Sequence, residues 1–187
     1  MRWLTARCFL RELLGGLTGA SPDGVELATG DEGKPFLPEA RELCFSLSHS
    51  GSLAGVAVAA GREVGIDLER LRPVKRADLI AARAMSPDER RALGEASAGD
   101  DRSHAFLRSW VANEALVKAW GRSVAAVADA SSRLGPAAAP GGIRVATDDN
   151  GRIWSVAGIS APDGYVAAVA AEGRGLRVVT AAPLPNG

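Results

Sequence analysis

Asp67 and Glu69 stand two residues apart in Gly65-Ile66-Asp67-Leu68-Glu69, a short β-rich stretch. Alternate residues of a strand share a face, so Ile66 and Leu68 turn to the core while Gly65, Asp67 and Glu69 line the other side. Two carboxylates this close repel each other unless they are solvated or share a cation. An oxygen-only donor set suits Mg2+, which keeps several waters and takes one or two carboxylates together with substrate phosphates. Solvated acids at an exposed strand end, paired with Arg70, are the plainer alternative.

Glu114 and Lys118 form a second pair, four residues apart in a helical stretch, Ser103–Gly121. At about 100° per residue, Phe106, Trp110, Val117 and Trp120 make one apolar stripe, and Asn113 falls inside it. Glu114 and Lys118 ride on its shoulder beside Leu107 and Val111, which points them toward packed structure. Glu114 could supply a third oxygen to the ion of Asp67 and Glu69, or act as a base, and Lys118 could neutralise a phosphate. The alternative is an ordinary i,i+4 surface ion pair worth ~0.3–0.5 kcal/mol.

A third stretch, Phe45-Ser46-Leu47-Ser48-His49-Ser50-Gly51, reads as a strand running into a hydroxyl-rich turn. Ser48 and His49 with local backbone N–H groups make a phosphate cradle there, or simply cap the turn. His49 and His104 are the only histidines. No histidine–cysteine cluster suits zinc, no Ser-His-Asp order can be defended, and neither a P-loop nor a Gly-x-Gly-x-x-Gly motif occurs.

The elements that must position these groups follow from periodicity. Residues 2–15 carry apolar positions at helical spacing (Trp3, Leu4, Phe9, Leu10, Leu13, Leu14), and Gly15-Gly16 should end them. Leu43–Leu47, Leu53–Ala60 and Val64–Glu69 read as strands, the first two flanking the turn 48–51. A helical block starts near Ala77 and breaks at Ser86-Pro87-Asp88-Glu89, where Ser86 is an N-cap, Pro87 the first helical residue and Glu89 the return partner of a capping box. After the long helix, residues 122–142 read as a surface connection. Ile143–Thr147, Ile153–Ile159, Tyr165–Ala171 and Leu176–Thr180 read as strands, with Asn150-Gly151 as a hairpin turn. The order is α+β, each half able to pack a helix on a small, mostly antiparallel sheet.

Composition narrows the function. In 187 residues Lys+Arg and Asp+Glu both number 22, so the net charge is zero, which argues against a general nucleic-acid binder. The longest apolar run is far short of a membrane span. Two isolated cysteines, Cys8 and Cys44, read as buried packing residues of a reducing compartment, and the protein as cytoplasmic.

Taken together, Gly33-Lys34-Pro35, Phe45 to Gly51, Gly65 to Glu69 and Trp110-Val-Ala-Asn-Glu-Ala-Leu-Val-Lys118 resemble, in order and spacing, the motifs of 4′-phosphopantetheinyl transferases, most closely the larger, surfactin-synthetase-activating type. The likeness runs from about Arg2 to Ala171. It implies two similar α+β halves related by a pseudo-twofold axis, 1–72 and 73–187, forming one unit with coenzyme A bound between them. The first half is short relative to the family. By the same likeness, Asp67, Glu69 and Glu114 would hold Mg2+ against the diphosphate. Glu114 would also serve as base toward a serine of an acyl or peptidyl carrier protein, directly or through a water. Lys118 would contact the diphosphate, Ser48 and His49 the phosphates, and Gly33, Lys34 and Pro35 the adenine. Arg2 falls at a 3′-phosphate position. The family has Lys where this chain has Asn113, which implies one cation fewer beside the diphosphate. The reading is a monomer or dimer, without nucleic acid or membrane. A weak or inactive relative that grips coenzyme A or a carrier domain, and the same fold put to another reaction, are the competing readings.

Overall fold

The computed structural model describes residues 2–96, 100–135 and 142–181, the side chains of residues 2–4 and 100 excepted. The chain opens with helix α1 (Arg2–Thr18), then a ribbon of β1 (Ala28–Thr29) and β2 (Pro35–Phe36), then the antiparallel hairpin of β3 (Leu43–Ser50) and β4 (Leu53–Ala60). Leu10 and Leu14 of α1 pack with Val25, Leu37 and Phe45 to form the first core. Gly15-Gly16 does not end α1, which runs on to Thr18. A side chain at Gly15 would come within 2.7 Å of the Ala20 carbonyl oxygen, so this glycine serves the fold-back of the following loop rather than helix termination.

Strand β5 (Val64–Arg70) then enters a second sheet. Helices α2 (Ala77–Ala84), α3 (Pro87–Glu95), α4 (Asp100–Trp120) and α5 (Val127–Arg133) follow, and β6 (Arg144–Thr147), β7 (Ile153–Ile159) and β8 (Tyr165–Glu172) close the described fold. The sheet order is β5-β8-β7-β6, antiparallel throughout. The molecule is therefore α+β, with helices on small antiparallel sheets. Although β5 lies before residue 72, it pairs with β8 from Val64↔Ala171 to Arg70↔Tyr165. By its hydrogen bonds it belongs to the second sheet.

The capping box before α3 forms as expected, with Ser86 and Glu89 bonding each other's backbone N–H. Elsewhere local pattern fell short. Residues 122–142 are not simply a surface connection, because α5 buries Val127 and Ala130 against α4 and Ser131 against Ser86 and Glu89 at the start of α3. Its seven residues are too few for a period to show, and Ala and Ser carry little hydrophobic signal. Leu176–Thr180 forms no strand. Leu176 packs on Val64, Val169 and Ala171, while Val179 is 80% exposed. Cys8 is exposed rather than buried.

Helix α4 is the central element. Phe106, Leu107, Val111, Ala115, Leu116, Val117 and Ala119 are all buried, so it is covered on most of its circumference rather than along one stripe. Its approach to β5 is set by Gly65. A Cβ there would stand 2.1 Å from the Ala115 carbonyl oxygen and 2.4 Å from the Ala119 nitrogen, both backbone atoms of α4. Gly65→Ala must therefore lift the helix off the strand. The expected cost is about 1–3 kcal/mol, in the range of overpacked cores, read as a lowered denaturant midpoint.

Candidate functional site

The contact between α4 and β5 that Gly65 permits brings Asp67 and Lys118 together. The Lys118 Nζ lies 2.6 Å from Asp67 Oδ1, and Ser48 Oγ donates to the same oxygen at 2.8 Å. Lys118 reaches across to β5, so the i,i+4 pair with Glu114 is not where its ammonium is used. Asp67 is 6% exposed, and burial pushes its carboxyl above the ordinary range even though Lys118 and Ser48 pull it down. The Glu114 carboxyl is also raised, first by burial and then by the nearby charges of Asp67 and Glu69, with Lys118 opposing. Glu69 is held by Ser50 Oγ at 2.8 Å and by Arg72 at 3.4 Å.

The three acids thus share one electrostatic field. Among the described residues, no three His, Cys, Asp or Glu side chains lie close enough to form a metal-binding group by themselves. The donor set beside Lys118 is oxygen only, carboxylate and hydroxyl, which fits a hard cation rather than zinc or copper.

Beside this cluster a cleft of about 350 Å³ is lined by Gly33, Lys34, Pro35, His49, Lys118 and Arg122, among others. The glycine–lysine–proline stretch and the histidine of β3, 16 positions apart in sequence numbering from Gly33 to His49, therefore meet Lys118 at one opening. His49 is exposed there. Lys34 contributes its stem but not a free charge. Its ammonium bonds Glu63 at 2.5 Å and the carbonyls of Val64 and Ala119 at 3.0 Å, fastening the ribbon to β5 and to the last turn of α4. Arg2 begins α1, and its side chain lies outside the described residues.

Two sequence expectations change here. Residues 48–50 are not a turn: β3 runs to Ser50 and pairs Ser48↔Gly55, His49↔Ala54 and Ser50↔Leu53, and the reversal comes at Gly51, with φ +58°. The segment therefore presents strand geometry instead of a loop of free N–H groups. Asn113 does not face the cleft. It is fully buried, and its amide donates to both carboxylate oxygens of Glu89 at 3.2 Å. Arg144 at 3.1 Å and Ser131 complete the partners of Glu89. Position 113 points about 100° away from Glu114 around the helix, and Asn113 is turned to Glu89 rather than to the cleft.

Residues that sequence reasoning missed include Ser50, which holds Glu69, and Arg122, which lines the cleft while bonding Asp129 and Asp149 at 3.0 Å. The alternation Ser46-x-Ser48-x-Ser50 was the available signal for the first. Nothing local marks the second.

Comparison with known proteins gives the family. A family model described as the 4′-phosphopantetheinyl transferase superfamily matches residues 63–170. The chain is 34% identical over 177 residues to the 4′-phosphopantetheinyl transferase HetI of Nostoc sp. (strain PCC 7120), covering 93% of this chain and 72% of that protein. It is 32% identical over 132 residues to AcpT of Salmonella typhimurium (71% and 65% covered) and 30% identical over 131 residues to a 4′-phosphopantetheinyl transferase of Bacillus subtilis (70% and 57% covered). The chain belongs to the 4′-phosphopantetheinyl transferase superfamily and is an enzyme of that class. No helix among its described residues is long and apolar enough to cross a membrane.

Proposed function

We propose that this chain transfers the 4′-phosphopantetheine group of coenzyme A to a serine hydroxyl of an acyl or peptidyl carrier protein, releasing 3′,5′-ADP. The observation that carries the reading is the cleft whose wall holds Lys118, with Asp67 against its ammonium and Glu114 within the same field.

The chemistry needs the serine oxygen in line with the phosphorus that bears pantetheine, and charge stabilisation for the leaving phosphate. As the new O–P bond forms, the bond to 3′,5′-ADP breaks and the hydroxyl proton must be taken up. Glu114, whose raised pKa makes it a better proton acceptor than an ordinary carboxylate, takes it directly or through a water. Lys118 supplies a cation to the diphosphate. His49 stands exposed at the same opening for a phosphate, and the backbone of Gly33 to Pro35 borders the base, Lys34 through its stem. Arg2 is the candidate for the 3′-phosphate.

Asp67, Glu69 and Glu114 are the candidate donors for Mg2+, of which one or two would hold the ion beside substrate phosphates, and there it would supply charge neutralisation at the diphosphate. Magnesium takes one or two carboxylates and completes its shell with phosphates and water, so a full protein cage is not required.

The test is incubation with coenzyme A, Mg2+ and a panel of apo carrier proteins, followed by intact mass measurement. The expected result is a gain of one phosphopantetheine on at least one carrier. No gain on any, at high enzyme concentration, defeats the reading. Asn113 is one of the motives for the competing picture of a relative that binds without turnover, and it is weakened because Asn113 faces Glu89.

A further inference from the structure

We propose that the alternate serines of β3 are a positioning device for the two acids of β5, an inference that rests on the transferase reading above. β5 is an edge strand whose one side is paired with β8. On the other side its outward amides are taken by side chains: Ser46 Oγ accepts from Ile66 N at 3.2 Å, Ser48 Oγ from Leu68 N at 3.2 Å and Ser50 Oγ from Arg70 N at 3.1 Å. Each rung joins residues 20 apart, so β3 runs alongside β5 in the same direction and lends it hydroxyl oxygens where a neighbouring strand would lend carbonyls.

The two rungs nearest the site do more. Ser48 donates its proton to Asp67 Oδ1 and Ser50 donates to Glu69 Oε2, both at 2.8 Å. One hydroxyl therefore sets the register of the backbone and the position of the carboxylate on the preceding residue. A hydroxyl has one proton and two acceptor sites. Ser48 uses all of them: the proton on Asp67, and the acceptor sites on Leu68 N and on Lys118 Nζ at 3.3 Å. In this arrangement no proton remains for a phosphate oxygen. Ser48 thus acts through Asp67 and Lys118, holding acid and cation in a fixed relation, and is a positioning residue rather than a phosphate ligand. Groups that orient functional side chains in this way are typically worth 10- to 100-fold in activity.

Ser48→Ala, Ser48→Thr and Ser50→Ala test this with four readouts: amide exchange, carboxyl carbon-13 shifts, equilibrium binding of coenzyme A, and steady-state transfer. In Ser48→Ala the Leu68 amide is expected to lose protection while Ile66 keeps it, and the Asp67 carboxyl signal to move more than that of Glu69. In Ser50→Ala the same changes fall on Arg70 and Glu69. The Ser48→Ala kcat is expected to drop by ~10- to 100-fold with coenzyme A affinity little changed, and Ser48→Thr, which keeps the hydroxyl, to recover most of it. A tenfold loss of coenzyme A affinity with kcat preserved would make Ser48 a phosphate ligand and overturn the proposal. So would an unchanged Leu68 amide and Asp67 signal, whatever the activity. If wild type transfers nothing, the functional reading fails on its own, and exchange and carboxyl shifts still decide the ladder. Should Ser48→Ala not fold, Ser50→Ala carries the same decision at the more exposed rung.

Discussion

Glu114→Gln is expected to abolish most transfer while making the protein more stable. The substitution keeps shape and removes the proton acceptor, so turnover should fall by ~10²–10⁴-fold, the usual weight of a general base. The stability gain follows from the same burial that tunes the group. Glu114 has a raised pKa in the folded protein because it is desolvated and faces Asp67 and Glu69. The folded state therefore holds its proton more tightly than the unfolded chain, and stability falls as pH rises from the ordinary carboxylate range through the raised value. Above that window the ionised group is a standing cost. Glutamine removes it, so the melting temperature of Glu114→Gln should exceed that of wild type at neutral pH, and the gap should close in acid where both side chains are neutral. A variant that loses turnover but melts below wild type at neutral pH would place Glu114 in a supporting contact instead. Trading stability for an uncomfortable charge at the reacting centre is a general feature of enzymes.

The second large effect lies on another face of α4. Glu89→Ala is expected to cost about 3–5 kcal/mol, because removing one member of a buried ionic group strands the others. The Glu89 carboxylate caps α3, accepts from Asn113 and Ser131, and pairs with Arg144, whose side chain is 19% exposed. Without it, the Asn113 amide is left in the interior with no acceptor, and Arg144 keeps only the carbonyls of Leu134 and Gly135. For a domain of this size the loss should appear as a drop in melting temperature of roughly 10 °C. At low temperature the folded fraction should still transfer, since the network touches neither Asp67 nor Lys118. Asn113→Lys is the companion variant. Its ammonium would meet Glu89, and the Asn113 Oδ1, which is buried without a hydrogen-bond partner, would be gone. Stability should rise and turnover stay as it was. A gain in coenzyme A affinity would show instead that position 113 reaches the cleft.

Much of the site was legible in one dimension because strand and helix periods are local properties. Alternation placed Asp67 and Glu69 on one side of β5, and the i,i+4 spacing placed Glu114 with Lys118. The capping box at Ser86 was read residue for residue, since every contact in it spans three positions. Periodicity failed where an element is short or made of small side chains, as in α5, and where a β-prone run has no neighbour to pair with, as at Leu176–Thr180. It also failed where a residue's partner is remote. Lys34 looks like a free cation in its loop, yet its ammonium is held by groups 29, 30 and 85 residues away.

By itself the amino-acid order determined which residue types face together, the α+β succession, and the membership that four ordered motifs announce. Only the tertiary structure decided what those groups do to one another. Gly65 lets α4 approach until Lys118 meets Asp67 rather than Glu114, and Ser48 and Ser50 turn out to face acids instead of open solvent. Asn113 is spent on Glu89 of α3, on a different face of α4 from the one where its neighbour in sequence works. The reason is range: periodicity reports a side chain's direction, but hydrogen bonding, desolvation and charge coupling depend on atoms a few ångströms away that belong to distant parts of the chain.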